Sequence, residues 1–251
     1  MKIVVNGGTG LIGSKTVERL RRAGHEVVAG SPQTGLNSLT GEGLDKALSG
    51  AQILIDLSNS PSFEDEPALE FFRTSTGNLI ASAKAHGIGH YVALSVVGTE
   101  RLQDSGYFRA KLVQETMIRE SDIPYTIIHS TQFLEFLGAI AKSASADDKV
   151  VVPATLIQPI ASDDVADIMA DVALAPPRNA MIEISGPERF RMSDLLAKYL
   201  TATGDKRPVE ASPEARYFGV KLGESSLVSD NDPHLGKISF EQWFASRAVA
   251  A

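Results

Sequence analysis

Short apolar runs rich in β-branched residues alternate, through the first half of the chain, with stretches whose apolar residues recur every three or four positions. Ile3 to Val5 is the first such run, and Gly7-Gly8-Thr9-Gly10 follows at once. This predicts a strand buried on both faces that enters a tight turn. From Leu11 to Arg22 the period lengthens. Ile12, Thr16 and Leu20 share one helical face, Lys15, Arg19 and Arg22 fall elsewhere, and Gly24 is placed to stop the helix. Further strands are predicted at 26–29, 52–57, 91–97 and 125–129, with helices at 44–48, 67–86 and 107–120 between them. Strands separated by helices predict right-handed βαβ units, an α/β fold with a doubly wound parallel sheet covered on both faces.

Beyond about residue 130 the rhythm weakens. An amphipathic helix is expected at 133–138, a strand at 150–152, and a helix at 163–174 stopped by Pro176-Pro177. A late strand at 182–184 and a helix at 193–201 follow, then a tail that closes with Phe240 to Phe244 and an alanine-rich end. The expected organisation is a nucleotide-type core over 1–150 and a smaller substrate-binding lobe over 151–251. A segment near 180–186 is expected to return to the core sheet.

Composition narrows the chemistry. The 251 residues exceed one typical domain of about 150 without reaching two. With 24 basic against 31 acidic residues the net charge is −7, which disfavours a diffuse grip on nucleic acid or anionic lipid. The chain has no cysteine, so disulfides, thiolate metal sites and cysteine nucleophiles fall away. None of the five histidines forms a metal-binding pair, and no metal is expected. With no signal-like start and no apolar run of about 18 residues, the expectation is a soluble, cytoplasmic protein. A homo-oligomer is compatible with all of this.

Gly7, Gly10 and Gly13 form a G-x-x-G-x-x-G series between the first strand and the first helix. The first glycine permits the turn, the second lets a diphosphate approach the backbone, and the third lets helix and sheet pack closely. The N–H groups that open the helix complete an anion site. Gly7, Thr9, Gly10, Leu11, Ile12 and Gly13 are therefore candidate dinucleotide-binding residues. No G-K-[ST] ending follows, which argues against a nucleoside triphosphatase. An acid after the second strand would select NAD through the ribose 2′-hydroxyl. The chain has Gly30-Ser31-Pro32-Gln33-Thr34 instead. Ser31 and Thr34 could donate to a 2′-phosphate, so NADP(H) is favoured over NAD(H), although the usual arginine is missing. The plainer alternative is that Ser31-Pro32 only starts a loop.

Tyr107 and Lys111 lie at i and i+4, on one helix face. A neighbouring ammonium would draw the phenol pKa down toward working pH, fitting Tyr107 to exchange a proton with a carbonyl oxygen. Ser95, twelve residues earlier, closes the stretch Tyr91 to Leu94 in a strand expected to be about the fifth. Its hydroxyl could hold the same oxygen, and the carboxyl ends of such strands are where ligands bind.

Asn6-Gly7-Gly8-Thr9-Gly10-Leu11-Ile12-Gly13, Ala93-Leu94-Ser95, Gly106-Tyr107-Phe108-Arg109-Ala110-Lys111, Ile123 to Ile128 and Gln158 to Ala166 together resemble the atypical short-chain dehydrogenases/reductases of the NmrA-like NAD(P)-binding group. The similarity runs to about residue 200. It implies a Rossmann fold, with Lys111 also holding the nicotinamide ribose. Asp56 to Ser60, with Leu57, Ser58 and Asn59, would run past the adenosine ribose after a fourth strand. Ser130 to Phe133 would flank the nicotinamide after a sixth. The asparagine that completes a proton relay in many superfamily members is replaced here by Thr74. His129 and Phe133 are further candidates to line the substrate site, against plainer roles at a strand end and in packing.

The expected function is hydride transfer from NADPH to a small carbonyl or quinone, with Ser95, Tyr107 and Lys111 as catalytic residues. The alternatives are a non-catalytic NAD(P)-binding redox sensor of the NmrA type, and a cofactor-recycling epimerase or isomerase.

Overall fold

The computed structural model describes residues 1–230 and 232–248. The last three residues of the alanine-rich end lie outside them. A seven-stranded parallel sheet flanked by helices forms the Rossmann-like α/β framework. Its order is β12 (His234–Leu235), β9 (Ala180–Ser185), β5 (Tyr125–Ser130), β4 (His90–Val96), β3 (Ile53–Asp56), β1 (Lys2–Asn6) and β2 (Glu26–Gly30). The strand bearing Ser95 is thus fourth in the chain, not fifth. Residues 57–60 follow the third strand, and Thr131 to Phe133 follow the fifth, not the sixth.

The chain divides into two compact units, 1–129 with 163–182, and 130–162 with 183–251. This differs from one cut at residue 150, because the chain leaves the first unit and re-enters it. The first unit carries α1 (Leu11–Arg22), α2 (Leu44–Leu48), α3 (Asp65–Ala85), α4 (Gly106–Arg119) and nearly all of α6 (Ser162–Leu174). The second carries α5 (Leu137–Ser143), β6 (Ser145–Ala146), β7 (Lys149–Pro153), β8 (Leu156–Ile157), β10 (Phe190–Arg191), α7 (Met192–Thr203), β11 (Val209–Ser212) and α8 (Phe240–Ala248). There β11-β7-β6 form a small sheet and β10-β8 a two-stranded one. The helix expected at 133–138 is a 3-10 turn, Leu134–Phe136, followed by α5.

The first unit's core follows from the sequence pattern. Val4, Leu54, Tyr91 and Ile127, from four adjacent strands, pack with Leu44, Leu48, Leu79, Ala83 and Ile118 from three helices. Along α3, Ala68, Phe72, Ser75, Thr76, Leu79 and Ala83 are buried at helical spacing. Asp65 and Glu66 in its first turn and Lys84 in its last suit the helix dipole. The start of α4 lies hard against α3: a Cβ on Gly106 would fall 2.5 Å from the Asp65 Cα. That close approach sets Tyr107 against the aromatic residues of α3.

Candidate functional site

The glycine series separates into two kinds of position. Gly7 has φ +77°, and a Cβ there would sit 2.7 Å from the Leu57 carbonyl oxygen. A Cβ on Gly13 would lie 2.0 Å from the Gly7 oxygen. Both glycines are demanded by the turn itself. Gly10 is different: its nearest neighbour to such a Cβ is the Gly7 oxygen at 3.4 Å, and its φ of −78° suits any residue. The protein's own packing does not require glycine at position 10, and the backbone there is open to a ligand. Thr9, Gly10 and Leu11 are exposed there, while Ile12 and Gly13 turn inward. The first turn of α1 carries no acidic residue, and its N–H groups precede the helix's own ladder. The site fits a dinucleotide diphosphate held by backbone.

After β2, Ser31 caps a 3-10 turn, Pro32–Thr34. The Thr34 hydroxyl accepts from the Ser31 N–H at 2.8 Å and also lies 3.0 Å from the carbonyl oxygens of Ala29 and Ser31. Thr34 is therefore committed to the turn, contrary to the expectation that it is a free donor. The Ser31 hydroxyl belongs to the same capping box, is buried, and lies 3.5 Å from the Thr34 hydroxyl.

At the carboxyl ends of β3 and β4 the side chains form a buried polar network. Asp56, fully buried, accepts from Asn6 Nδ2 at 2.9 Å and from the Ser58 N–H and hydroxyl at 3.1 and 2.7 Å. Its second oxygen accepts from the Tyr91 hydroxyl at 3.1 Å and Gln114 Nε2 at 3.0 Å. Burial, together with the Asp56 charge, pushes the Tyr91 phenol well up. Gln114 in turn accepts from the Lys111 ammonium at 2.5 Å. Lys111 also donates to the Leu94 carbonyl at 2.9 Å and lies 4.7 Å from the centre of the Phe72 ring.

The three expected catalytic residues thus find separate partners. Ser95 donates to Glu115 Oε1 at 2.5 Å, and His129 Nε2 meets the same oxygen at 2.9 Å. Ser95, Glu115 and His129 are all buried. His129 is paired inside the first unit instead of lining an open site. Burial alone would raise the Glu115 carboxyl, but the bonds from His129 and Ser95 and the Lys111 charge outweigh it and hold it low. Tyr107, half-buried, donates to Asn59 Oδ1 at 3.0 Å among the rings of Phe63, Phe72 and Phe108. Burial raises its pKa, and Lys111 does not draw it down as expected. The lysine itself is pushed down to about 8 by burial, against the opposing pull of Asp56 and Glu115. The reason is direction: the ammonium turns inward, to the strand carbonyl and the glutamine.

Leu57 and Ser58 follow β3 as expected, with Leu57 wedged against Gly7 and Ser58 clipped to Asp56. In the second unit, Phe133 stacks on Phe136 with ring centres 5.6 Å apart. Thr74 is exposed on α3 and takes no part in the network. The sequence reading missed Glu115 and Gln114. Glu115 stands four residues after Lys111 and eight after Tyr107, so its place on the same helical face was available as a signal. Among the described residues no cluster of His, Asp or Glu could hold a metal. None of the described helices is long and apolar enough to cross a membrane.

Residues 7–176 match the family described as NAD(P)H-binding, and the chain belongs to that family. The photosystem II assembly factor Ycf39 of Cyanophora paradoxa is 26% identical over 235 residues, covering 86% of this chain and 73% of that protein. A UDP-glucose 4-epimerase from Thermotoga maritima superposes with a TM-score of 0.74 at 17% identity over all of both chains. A short-chain dehydrogenase/reductase superfamily protein from Agrobacterium tumefaciens, with bound NAD, gives 0.75 at 14% identity over 100% of this chain and 97% of the other. The NADPH-dependent quinone oxidoreductase of Escherichia coli, complexed with NADPH, gives 0.67 at 19% identity over 84% and 78%. These structural likenesses, all below 20% identity, speak to the fold alone, a Rossmann-like α/β fold.

Proposed function

We propose that the protein is an NAD(P)H-dependent reductase, with NADPH favoured, that delivers hydride to a small carbonyl or quinone. The observation that carries the reading is Gly10, a glycine the turn does not need, beside two that it does. The backbone of Gly7 to Gly13 would hold the diphosphate at the N-terminus of α1. Lack of an acid in Gly30 to Thr34 supports NADPH, with Ser31 as the candidate donor to its 2′-phosphate. The bound dihydronicotinamide supplies the hydride. Tyr107 stays protonated, because burial raises its pKa, and so serves as a hydrogen-bond donor to the oxygen that gains charge. The proton that completes reduction then comes from solvent. Lys111 and Ser95 hold the strand end and α4 in place from inside.

Calorimetric titration of NADPH and NADH, followed by an acceptor screen, tests this. Binding of NADPH below millimolar with turnover of a carbonyl or quinone is expected; neither cofactor binding in that range overturns it. Tyr107→Phe should slow carbonyl reduction and leave cofactor affinity in place. An unchanged carbonyl rate removes Tyr107 from the chemistry.

A second reading, a non-catalytic NAD(P)-binding sensor, is favoured by one observation: Ser95 and Lys111 both turn to other partners. The relative named as an assembly factor accords with it. Tight NADPH binding with no oxidation across a broad carbonyl and quinone panel would select this reading.

A further inference from the structure

Tyr107 belongs to an aromatic group graded from core to solvent. Phe72 is fully buried and Phe108 nearly so, each meeting the Tyr107 ring edge to face at centroid distances of 6.0 and 5.8 Å. Phe63 meets it at 5.1 Å with the planes 50° apart, yet Phe63 is 63% exposed.

Phe63 precedes the first turn of α3, the place from which an apolar side chain usually staples a helix start by packing on its fourth residue. That residue, Ala68, is fully buried among others, and the Phe63 ring remains in solvent. The staple position thus leaves most of the Phe63 ring in water. The ring is not on a loose loop. The Ser60 hydroxyl accepts from the Ser62 N–H and the Ser62 hydroxyl from the Glu64 N–H, each at 3.2 Å, so two successive clips fix the backbone around it. Asp56 anchors the same loop at its start through Ser58. A large apolar ring is thus held open to water beside the phenol–amide pair of Tyr107 and Asn59.

We infer that Phe63 is a specificity-determining residue, a stacking surface for a flat aromatic substrate whose polar oxygen reaches the Tyr107–Asn59 pair. This rests on the reductase reading for the site and narrows its substrate class to planar ring compounds, such as quinones, over aliphatic carbonyls. A flat ring laid on the exposed face of Phe63 would cover it and carry its carbonyl oxygen toward the neighbouring Tyr107, whose hydroxyl pairs with Asn59. A small aliphatic carbonyl leaves the ring wet.

Binding of 1,4-naphthoquinone and of diacetyl to the protein saturated with NADP⁺, where no turnover occurs, tests the inference. The readout is the ratio of the two affinities. Phe63→Ala is expected to lower the naphthoquinone preference by about tenfold, Phe63→Leu by nearly as much, and Phe63→Tyr to keep it. Thermal midpoints confirm that each variant folds. An unchanged ratio in the Phe63→Ala protein overturns the inference, as does loss in Phe63→Ala that Leu restores as well as Tyr, or absence of naphthoquinone binding to wild type at millimolar concentration. NADPH oxidation by diacetyl alongside an indifferent Phe63 would leave the reductase reading standing and this one fallen. Naphthoquinone bound through Phe63 without oxidation of NADPH by any acceptor would do the reverse.

Discussion

The turn between β1 and α1 and the stretch where β4 meets α4 both carry recognisable motifs, but they behave differently once folded. At the first, Gly7 and Gly13 are fixed by close backbone contacts and Gly10 is left open, because a glycine acts through its backbone and has no side chain to redirect. At the second, Ser95, Tyr107 and Lys111 each have a reach of several ångströms and other partners within it. Ser95 goes to Glu115, Lys111 to Leu94 and Gln114, and Tyr107 to Asn59. A motif written in backbone is its own geometry. One written in side chains is only a set of options until the neighbours are known.

The contrast can be broken most sharply within the glycine series. Gly13→Ala forces a Cβ into backbone and is expected to cost about 3 kcal/mol or more, read by chemical denaturation. Gly10→Ala should cost less than about 1 kcal/mol, yet weaken NADPH binding by roughly a hundredfold in calorimetry. If Gly10→Ala binds NADPH as wild type does, backbone and side-chain motifs are equally unreliable here.

Next in size is Glu115→Ala, which leaves Ser95 and His129 without their shared acceptor and Lys111 with Asp56 as its remaining countercharge. A loss of about 3 kcal/mol in stability is expected, partly recovered by Glu115→Gln. Cofactor or acceptor binding lost at unchanged stability would place Glu115 in the working site and erase the contrast.

Lys111 offers a comparable but pH-dependent effect. Its folded pKa of about 8 lies below its unfolded value near 10.5, so the unfolded chain binds more protons between the two. Stability therefore rises with pH across that window and is lost as pH falls through 8. Wild type should gain up to about 3 kcal/mol relative to Lys111→Met between pH 8 and 10.5, with the difference flat below pH 7. Equal pH profiles would mean the ammonium is solvated and free to face Tyr107.

The smallest expected effect is at Thr34→Ala. It removes the hydroxyl that accepts from the Ser31 N–H in the turn after β2, costs about 1 kcal/mol, and should leave the NADPH to NADH affinity ratio unchanged. A shifted ratio would return Thr34 to the cofactor site.

The core was legible where burial forces periodicity. Every strand from β1 to β5 and every helix from α1 to α4 was readable, because Val4, Leu54, Tyr91 and Ile127 on strands and Ala68 to Ala83 on α3 must face inward. The two-residue strands β6, β8, β10 and β12 were not, since two residues make no period. Leu134–Phe136 read as helix because a 3-10 turn and an α-turn share nearly the same apolar spacing. In the site, the direction of Lys111 was invisible: its spacing from Tyr107 fixes a shared face, and only Gln114 and the Leu94 carbonyl decide where the ammonium points. Phe63 was hidden because exposure of a ring is a property of what fails to cover it.

Asp56 has a consequence for how the chain reaches this state. Its two oxygens gather donors from Asn6, Ser58, Tyr91 and Gln114, residues spread across more than a hundred positions of sequence. No subset of neighbouring elements can satisfy that carboxylate, so its burial must wait until β1, β3, β4 and α4 have all docked. Contacts of such long sequence separation form late and slow the search. The absorbance of the Tyr91 phenol, buried against Asp56, then works as a clock hand for that docking step, moving when β1, β3, β4 and α4 come together.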